Sequence, residues 1–229
     1  MKAEILAQLR RDRADKRPVV LLTTLPTGEE RLIYPDEAPG DEPTEILDAA
    51  RRALRGDQCV TLEQPGGGSL FLQPENPPLR LVLVGAVHIA QPLARMAALA
   101  DFEVAVVDPR TAFSTEARFP GVTRLTTWPD HALTELRLDR RTAVVTLTHD
   151  PKLDDPALEI ALRSEAFYVG CLGSGKTHAS RLARLRDRGF TEAELGPLFG
   201  PVGLRIGARS PAEIAVSILA QIVERLRSR

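Results

Sequence analysis

The sequence predicts an α/β fold: a doubly wound parallel sheet over residues 80–229, preceded by a small α+β domain over 1–72 and a linker over 73–79. Three observations predict it. Short unbroken apolar runs alternate with stretches of helical spacing through the second half of the chain, as in strands buried on both faces between crossover helices. Residues 81–108 read as strand, glycine turn, helix, strand and acid, the opening unit of a Rossmann-like domain. Finally, Gln73-Pro-Glu-Asn-Pro-Pro78 separates this half from hairpin-like text before it.

Taken in order, Ile5, Leu6 and Leu9 among charges predict a short amphipathic helix over 2–16. Val19–Thr24 and Arg31–Tyr34 read as strands of a hairpin turning at Leu25-Pro-Thr-Gly28. Ile46, Leu47, Ala50 and Leu54 form a helical stripe closed by Gly56. A second hairpin is expected from Cys59–Leu62 and Leu70–Leu72 around Pro65-Gly-Gly-Gly-Ser69.

In the larger domain, Leu81–Val84 is the first buried strand, and Leu93, Met96, Ala97 and Ala100 follow at helical spacing. Glu103–Val107 is the second strand, ending at Asp108-Pro109, and a loop through Pro120 carries Arg110, Phe113, Arg118 and Phe119. A short helix over 129–138 precedes a third strand, Thr142–Thr148, which ends in His149-Asp150. The helix marked by Leu153, Leu158 and Ala161 leads to a fourth strand, Phe167–Val169, and a basic helix through Arg188. Thr191-Glu-Ala-Glu194 and Ser210-Pro-Ala-Glu213 are capping boxes, the second opening a helix striped by Ile214, Ile218, Ile222 and Leu226.

The composition narrows the function. A net charge of -1 offers no basic field for nucleic acid. No apolar run is long enough to span a bilayer, and no signal-peptide core opens the chain. Cys59 and Cys171 form neither a disulfide framework nor a CxxC motif, and His131 and His178 lack metal-ligand spacing with other His or Cys residues. A reduced, cytoplasmic protein without a metal site is expected.

In doubly wound sheets ligands bind beyond the carboxyl ends of the strands. Polar clusters fall there: Gly85, Ala86 and His88; Asp108 and Arg110; His149 and Asp150; and Gly173, Ser174 and Lys176. Asp108 follows Gly85 at close to the spacing of about 20 residues at which such an acid meets a ribose hydroxyl. This supports an NAD(P)-dependent oxidoreductase. Against it, the fingerprint G-x-G-x-x-G/A reads Gly85-Ala-Val-His-Ile-Ala90, and Val87 stands where bare backbone should approach a pyrophosphate. Separately, Gly170–Thr177 satisfies the P-loop pattern GxxxxGK[ST], which raises an NTPase as a further alternative. Its late position and the lack of a following strand ending in Asp favour a plain helix-opening turn instead. Each cluster also has a plain structural reading: His88 as a helix-start residue, His149-Asp150 as a strand end capping a helix, Cys171 as a core thiol.

These residues resemble the xanthine dehydrogenase accessory factor family (XdhC/CoxI), in its C-terminal Rossmann domain. The similar text is Leu81-Val-Leu-Val-Gly-Ala-Val-His-Ile-Ala90, Val106-Val-Asp-Pro-Arg110, Thr148-His-Asp150 and Tyr168-Val-Gly-Cys-Leu-Gly-Ser174, continuing through Gly200–Ala208 and Ser210–Ile222. The resemblance implies a protein that holds the molybdenum cofactor (molybdopterin) as cargo and delivers it to a xanthine dehydrogenase-like molybdenum hydroxylase. It implies a homodimer, and a crevice lined by Gly85, His88, Asp108, His149, Asp150, Gly173 and Ser174. Two departures stand out: Val87 in place of the family's glycine, and a shortened N-terminal domain whose Thr23–Gly28 and Gln64–Ser69 lack the family's cysteine-containing text.

Overall fold

The computed structural model describes residues 2–25, 27–37 and 42–228. The chain forms two compact units, Met1–Pro77 and Pro78–Arg229.

In the first unit, α1 (Ala3–Ala14) and α2 (Thr44–Gly56) accompany strands β1 (Val19–Leu25), β2 (Glu29–Ile33), β3 (Val60–Glu63) and β4 (Ser69–Glu75). The strands pair antiparallel in the order β2-β1-β4-β3. Both predicted hairpins form; Pro26 of the first turn lies outside the described residues. Ile46, Ala49 and Ala50 of α2 pack with Val20, Leu22 and Leu72. Helix α1 forms as predicted, but Leu6 stays 50% exposed, and the side chain it buries is Asp12, held by Tyr34 and Gln8. The second hairpin overruns its predicted end. Gln73–Glu75 pair with Leu21–Val19, so of the expected linker only Asn76, Pro77 and Pro78 lie outside strands. Pro74 is tolerated because β3 ends opposite Leu72, leaving β4 with one partner at that point.

The second unit is a six-stranded parallel sheet built from β5 (Leu79–Val84), β6 (Phe102–Val107), β7 (Thr123–Leu125), β8 (Thr142–Thr146), β9 (Tyr168–Cys171) and β10 (Leu198–Phe199). The spatial order β7-β6-β5-β8-β9-β10 is the doubly wound Rossmann order, with its switch point between β5 and β8. Successive residues of β5 feed opposite cores. Leu81 and Leu83 pack with α3 (Ala90–Leu99) and α8 (Pro211–Arg227), whereas Val82 and Val84 pack with α4 (Pro129–Glu135), α5 (Pro151–Leu162) and α6 (Gly175–Asp187). Helix α7 (Glu192–Leu195) and helix α8 both start on complete capping boxes. Ile218 and Ile222 of α8 are fully buried.

Two short strands, β7 and β10, have no counterpart in the sequence pattern. They carry too few residues to show a period, and their pairing with longer neighbours creates them. Strand β9 starts and ends later than its apolar run, because Gly170 and Cys171 continue the ladder with β8. Among the described residues no helix is long and apolar enough to cross a membrane.

Candidate functional site

The loops that follow β5, β6, β8 and β9 leave the same edge of the sheet. The register aligns Val84 with both Val107 and Thr146, and Thr146 with Cys171. Neighbouring strands are about 5 Å apart, so the turn after β9 begins about 10 Å from the turn after β5. Gly85 sits at the centre. Its φ of +110° suits glycine, and a Cβ there would lie 2.5 Å from Thr148 Cγ2, so the turns after β5 and β8 touch.

Asp108, at the end of β6, is fully buried and accepts four hydrogen bonds. The Ala86 N–H donates to Oδ2 at 2.8 Å and the Arg110 N–H to Oδ1 at 2.9 Å, while Arg110 Nε and Nη2 grip the two oxygens at 2.9 and 2.8 Å. Burial pushes this carboxyl up, but the Arg110 guanidinium and the two backbone donors outweigh it and hold it below its ordinary value. A ribose hydroxyl would find these lone pairs taken. What this position presents outward is the guanidinium of Arg110, its side chain 41% exposed and stacked 4.9 Å from the ring of Phe113. The basis for an NAD(P) reading of Asp108 is thereby removed. Val87 is half-buried and packs on the core shared by α3 and α8.

After β8, His149 adopts φ +63°, a left-handed conformation uncommon for a residue with a side chain. Its N–H donates to Asp154 Oδ2 at 3.1 Å, and the Thr148 hydroxyl donates to Asp154 Oδ1 at 2.6 Å. Asp150 caps α5, accepting from the Lys152 N–H at 2.9 Å, with Pro151 at the first helical position. His88, His149, Asp150, Ser174 and Lys176 are exposed.

The P-loop pattern after β9 does not form a phosphate cradle. Gly170 belongs to the strand and Gly175 already opens α6, leaving only Leu172, Gly173 and Ser174 between them. Ser174 caps the helix through the Thr177 N–H, and its hydroxyl also meets Thr177 Oγ1 at 2.9 Å. The NTPase alternative loses its loop and the hydroxyl that would reach a magnesium ion.

Asp154 and Arg181, each 1% exposed, are site-supporting residues that the sequence pattern does not single out as a pair. Arg181 Nη2 lies 3.5 Å from Asp154 Oδ2 and donates to the Leu172 carbonyl at 3.0 Å, while Nη1 donates to Cys171 Sγ at 3.0 Å. The sulfur also lies 3.7 Å from His178 Nδ1. Burial pushes the Cys171 thiol up to about 11, and the Arg181 charge offsets only part of that shift, so it is a protonated core thiol at neutral pH. Burial also holds His178 below its ordinary value. The signal that could have found the pair is a charge on an apolar helical stripe: Arg181 precedes buried Leu185 by one turn, and Asp154 precedes Leu158 likewise. Among the described residues no group of three or more His, Cys, Asp or Glu could hold a metal ion.

Comparison with known proteins agrees with this architecture. Residues 81–222 match the family described as the XdhC Rossmann domain. A protein of Bacillus subtilis named as a probable subunit of xanthine dehydrogenase is 36% identical over 157 residues, 68% of this chain and 46% of that protein. The molybdenum cofactor insertion chaperone PaoD of Escherichia coli is 31% identical over 147 residues, 64% of this chain and 40% of its own length. The chain thus spans less than half the length of these relatives. A crystal structure described as a xanthine dehydrogenase from Bacillus halodurans superposes with a TM-score of 0.75, covering 99% of this chain and 67% of that one; at 24% identity it speaks for the fold. The match over residues 81–222 makes this chain a member of the XdhC family, through its Rossmann domain, and the sheet order agrees with that fold.

Proposed function

We propose that this chain binds the molybdenum cofactor in the cytoplasm, as cargo, and delivers it to a xanthine dehydrogenase-like molybdenum hydroxylase. Family membership and the name of PaoD support the class of cargo. The observation that carries the reading is a set of unspent donors along one sheet edge. Among the described residues, the N–H groups of Val87, His88 and Ile89 after β5, and of Gly175 and Lys176 at the start of α6, find no protein acceptor. Arg110 Nη1 is likewise left over after Asp108 takes Nε and Nη2. Backbone N–H groups at helix starts, joined by a guanidinium, suit a phosphate ester, and the pterin cofactor carries one. The residues present therefore fit the group.

In this reading Gly85 and Gly173 shape the turns that present the unspent N–H groups, and Ala86 ties the first turn to Asp108. Arg110 and Lys176 are the cationic partners, and His88, His149 and Ser174 the polar contacts. Asp108 acts from behind, holding Arg110, and Asp150 at the surface caps the start of α5. Bound cofactor supplies molybdenum chemistry to the client; the chain itself binds, orients and shields it. Two copies acting together belong to the same reading. The test is titration of purified protein with molybdopterin, followed by reconstitution of a cofactor-free hydroxylase. Saturable binding that weakens about tenfold in Arg110→Ala, the scale of one charge-assisted contact, is expected. Absence of binding and of any gain in client activity would refute it.

A further inference from the structure

The buried charges behind the turns after β8 and β9 form one connected unit. Asp154 projects from the first turn of α5 and receives the Thr148 N–H at 3.3 Å, the Thr148 hydroxyl at 2.6 Å and the His149 N–H at 3.1 Å. Arg181, from the second turn of α6, reaches Asp154 at 3.5 Å and the Leu172 carbonyl at 3.0 Å. One carboxylate and one guanidinium thus tie residues 148–149 to residue 172, across the gap between two strands. Arg181 is committed further to Cys171 Sγ, and its Nε is buried with no hydrogen-bond partner among the described residues.

Such a pair is an expensive way to hold a fold. Two charges leave water for an interior where hydrophobic residues of similar volume serve stability at least as well. What the pair holds is a strained segment. His149 is kept in the left-handed region, and the N–H that would be orphaned there is the one Asp154 accepts. The imidazole itself is exposed and makes no hydrogen bond to any described residue. A strained backbone, a buried charge pair anchoring it and an uncommitted polar side chain coincide on one residue at the strand-end edge.

We infer that Asp154 and Arg181 are positioning residues that hold His149 in its left-handed conformation so that its imidazole contacts the cargo. The inference rests on the proposed cofactor-binding reading and deepens it. Asp154 contributes nothing to the cargo directly; it acts through His149. Arg181 acts through Asp154 and simultaneously fixes the turn carrying Gly173 and Ser174. The strain then has a role, since asparagine or glycine would relieve it at the loss of the imidazole.

A double-mutant cycle with molybdopterin binding as the readout tests this. His149→Ala and Asp154→Asn should each weaken binding about tenfold, the scale of one lost polar contact. In the His149→Ala background, Asp154→Asn should cause no additional loss. His149→Gly keeps the core intact and covers the case in which Asp154→Asn fails to fold. It should melt at or above the wild-type temperature while binding as weakly as His149→Ala. Amide hydrogen exchange without ligand gives a further check, because Asp154→Asn should unprotect the Thr148 and His149 amides while those of β8 stay protected. Additive losses in the cycle, or a His149→Gly protein that binds like wild type, overturn the inference alone. Wild-type protein that binds no molybdopterin overturns the functional reading and this inference with it.

Discussion

Gly85 is the residue at which the site is most sensitive to a single atom. Its φ of +110° and the 2.5 Å separation between Thr148 Cγ2 and the place a Cβ would occupy leave no room for a side chain. Gly85→Ala should cost about 2 kcal/mol, the usual scale for a strained backbone position, and should push the turns after β5 and β8 apart. Urea unfolding measures the cost. The two cysteines give a second residue-level expectation. Cys171 is buried beside Arg181 with its thiol pushed up to about 11, whereas Cys59 is exposed. Iodoacetamide at neutral pH should therefore label Cys59 alone in folded protein and both in denaturant, as mass spectrometry of the peptides would show. Labelling of Cys171 at the rate of Cys59 would contradict its place in the core.

At the scale of elements, the edge is organised by acids that face inward. Asp108 ties the turn after β5 to Arg110, and its carboxyl lies below the ordinary value when folded. A depressed folded value means the ionised form is favoured by folding. The stabilisation is therefore present above the unfolded value of about 3.9 and is lost as pH falls through the folded value. Asp108→Asn should be less stable than wild type at neutral pH, and the gap should shrink below pH about 4, measured by denaturant unfolding across an acid series. Asp154 behaves oppositely. Burial outweighs the help of Thr148 and Arg181 and raises its carboxyl, so it weakens the fold when ionised and does so less as pH drops. These inward-facing acids mark where sequence reading stops. The strand–turn–helix unit from Leu81 to Asp108 and both capping boxes were legible because periodicity and caps are local. That Asp108 would spend its oxygens on Ala86 and Arg110 was not, because only the close approach of two turns decides it. The P-loop pattern has a related cause: strand pairing with β8 claims Gly170 and Cys171, and Ser174 claims the helix cap, giving the helix-opening turn that its late position in the chain favoured.

For the whole molecule, the Rossmann order brings four loops to one edge whatever their individual residues do. That is why the convergence of Gly85, Asp108, His149 and Gly173 followed from alternating strands and helices alone. The identity of the ligand depends instead on which donors stay unspent, and that emerges only after every internal hydrogen bond is assigned. Here Asp108 and Asp154 are consumed internally, and Asp150 stays exposed with one oxygen on the cap of α5. The N–H groups and the Arg110 guanidinium left at the edge are what the proposed reading assigns to an anion rather than a sugar diol. The most direct measurement of this claim is mass spectrometry, with pterin fluorescence, of the protein purified from a host that makes molybdenum cofactor. A pterin phosphate that co-purifies with wild type and is depleted in Arg110→Ala is the predicted result. Wild-type protein that carries no pterin, and takes up none when it is supplied, would contradict the account.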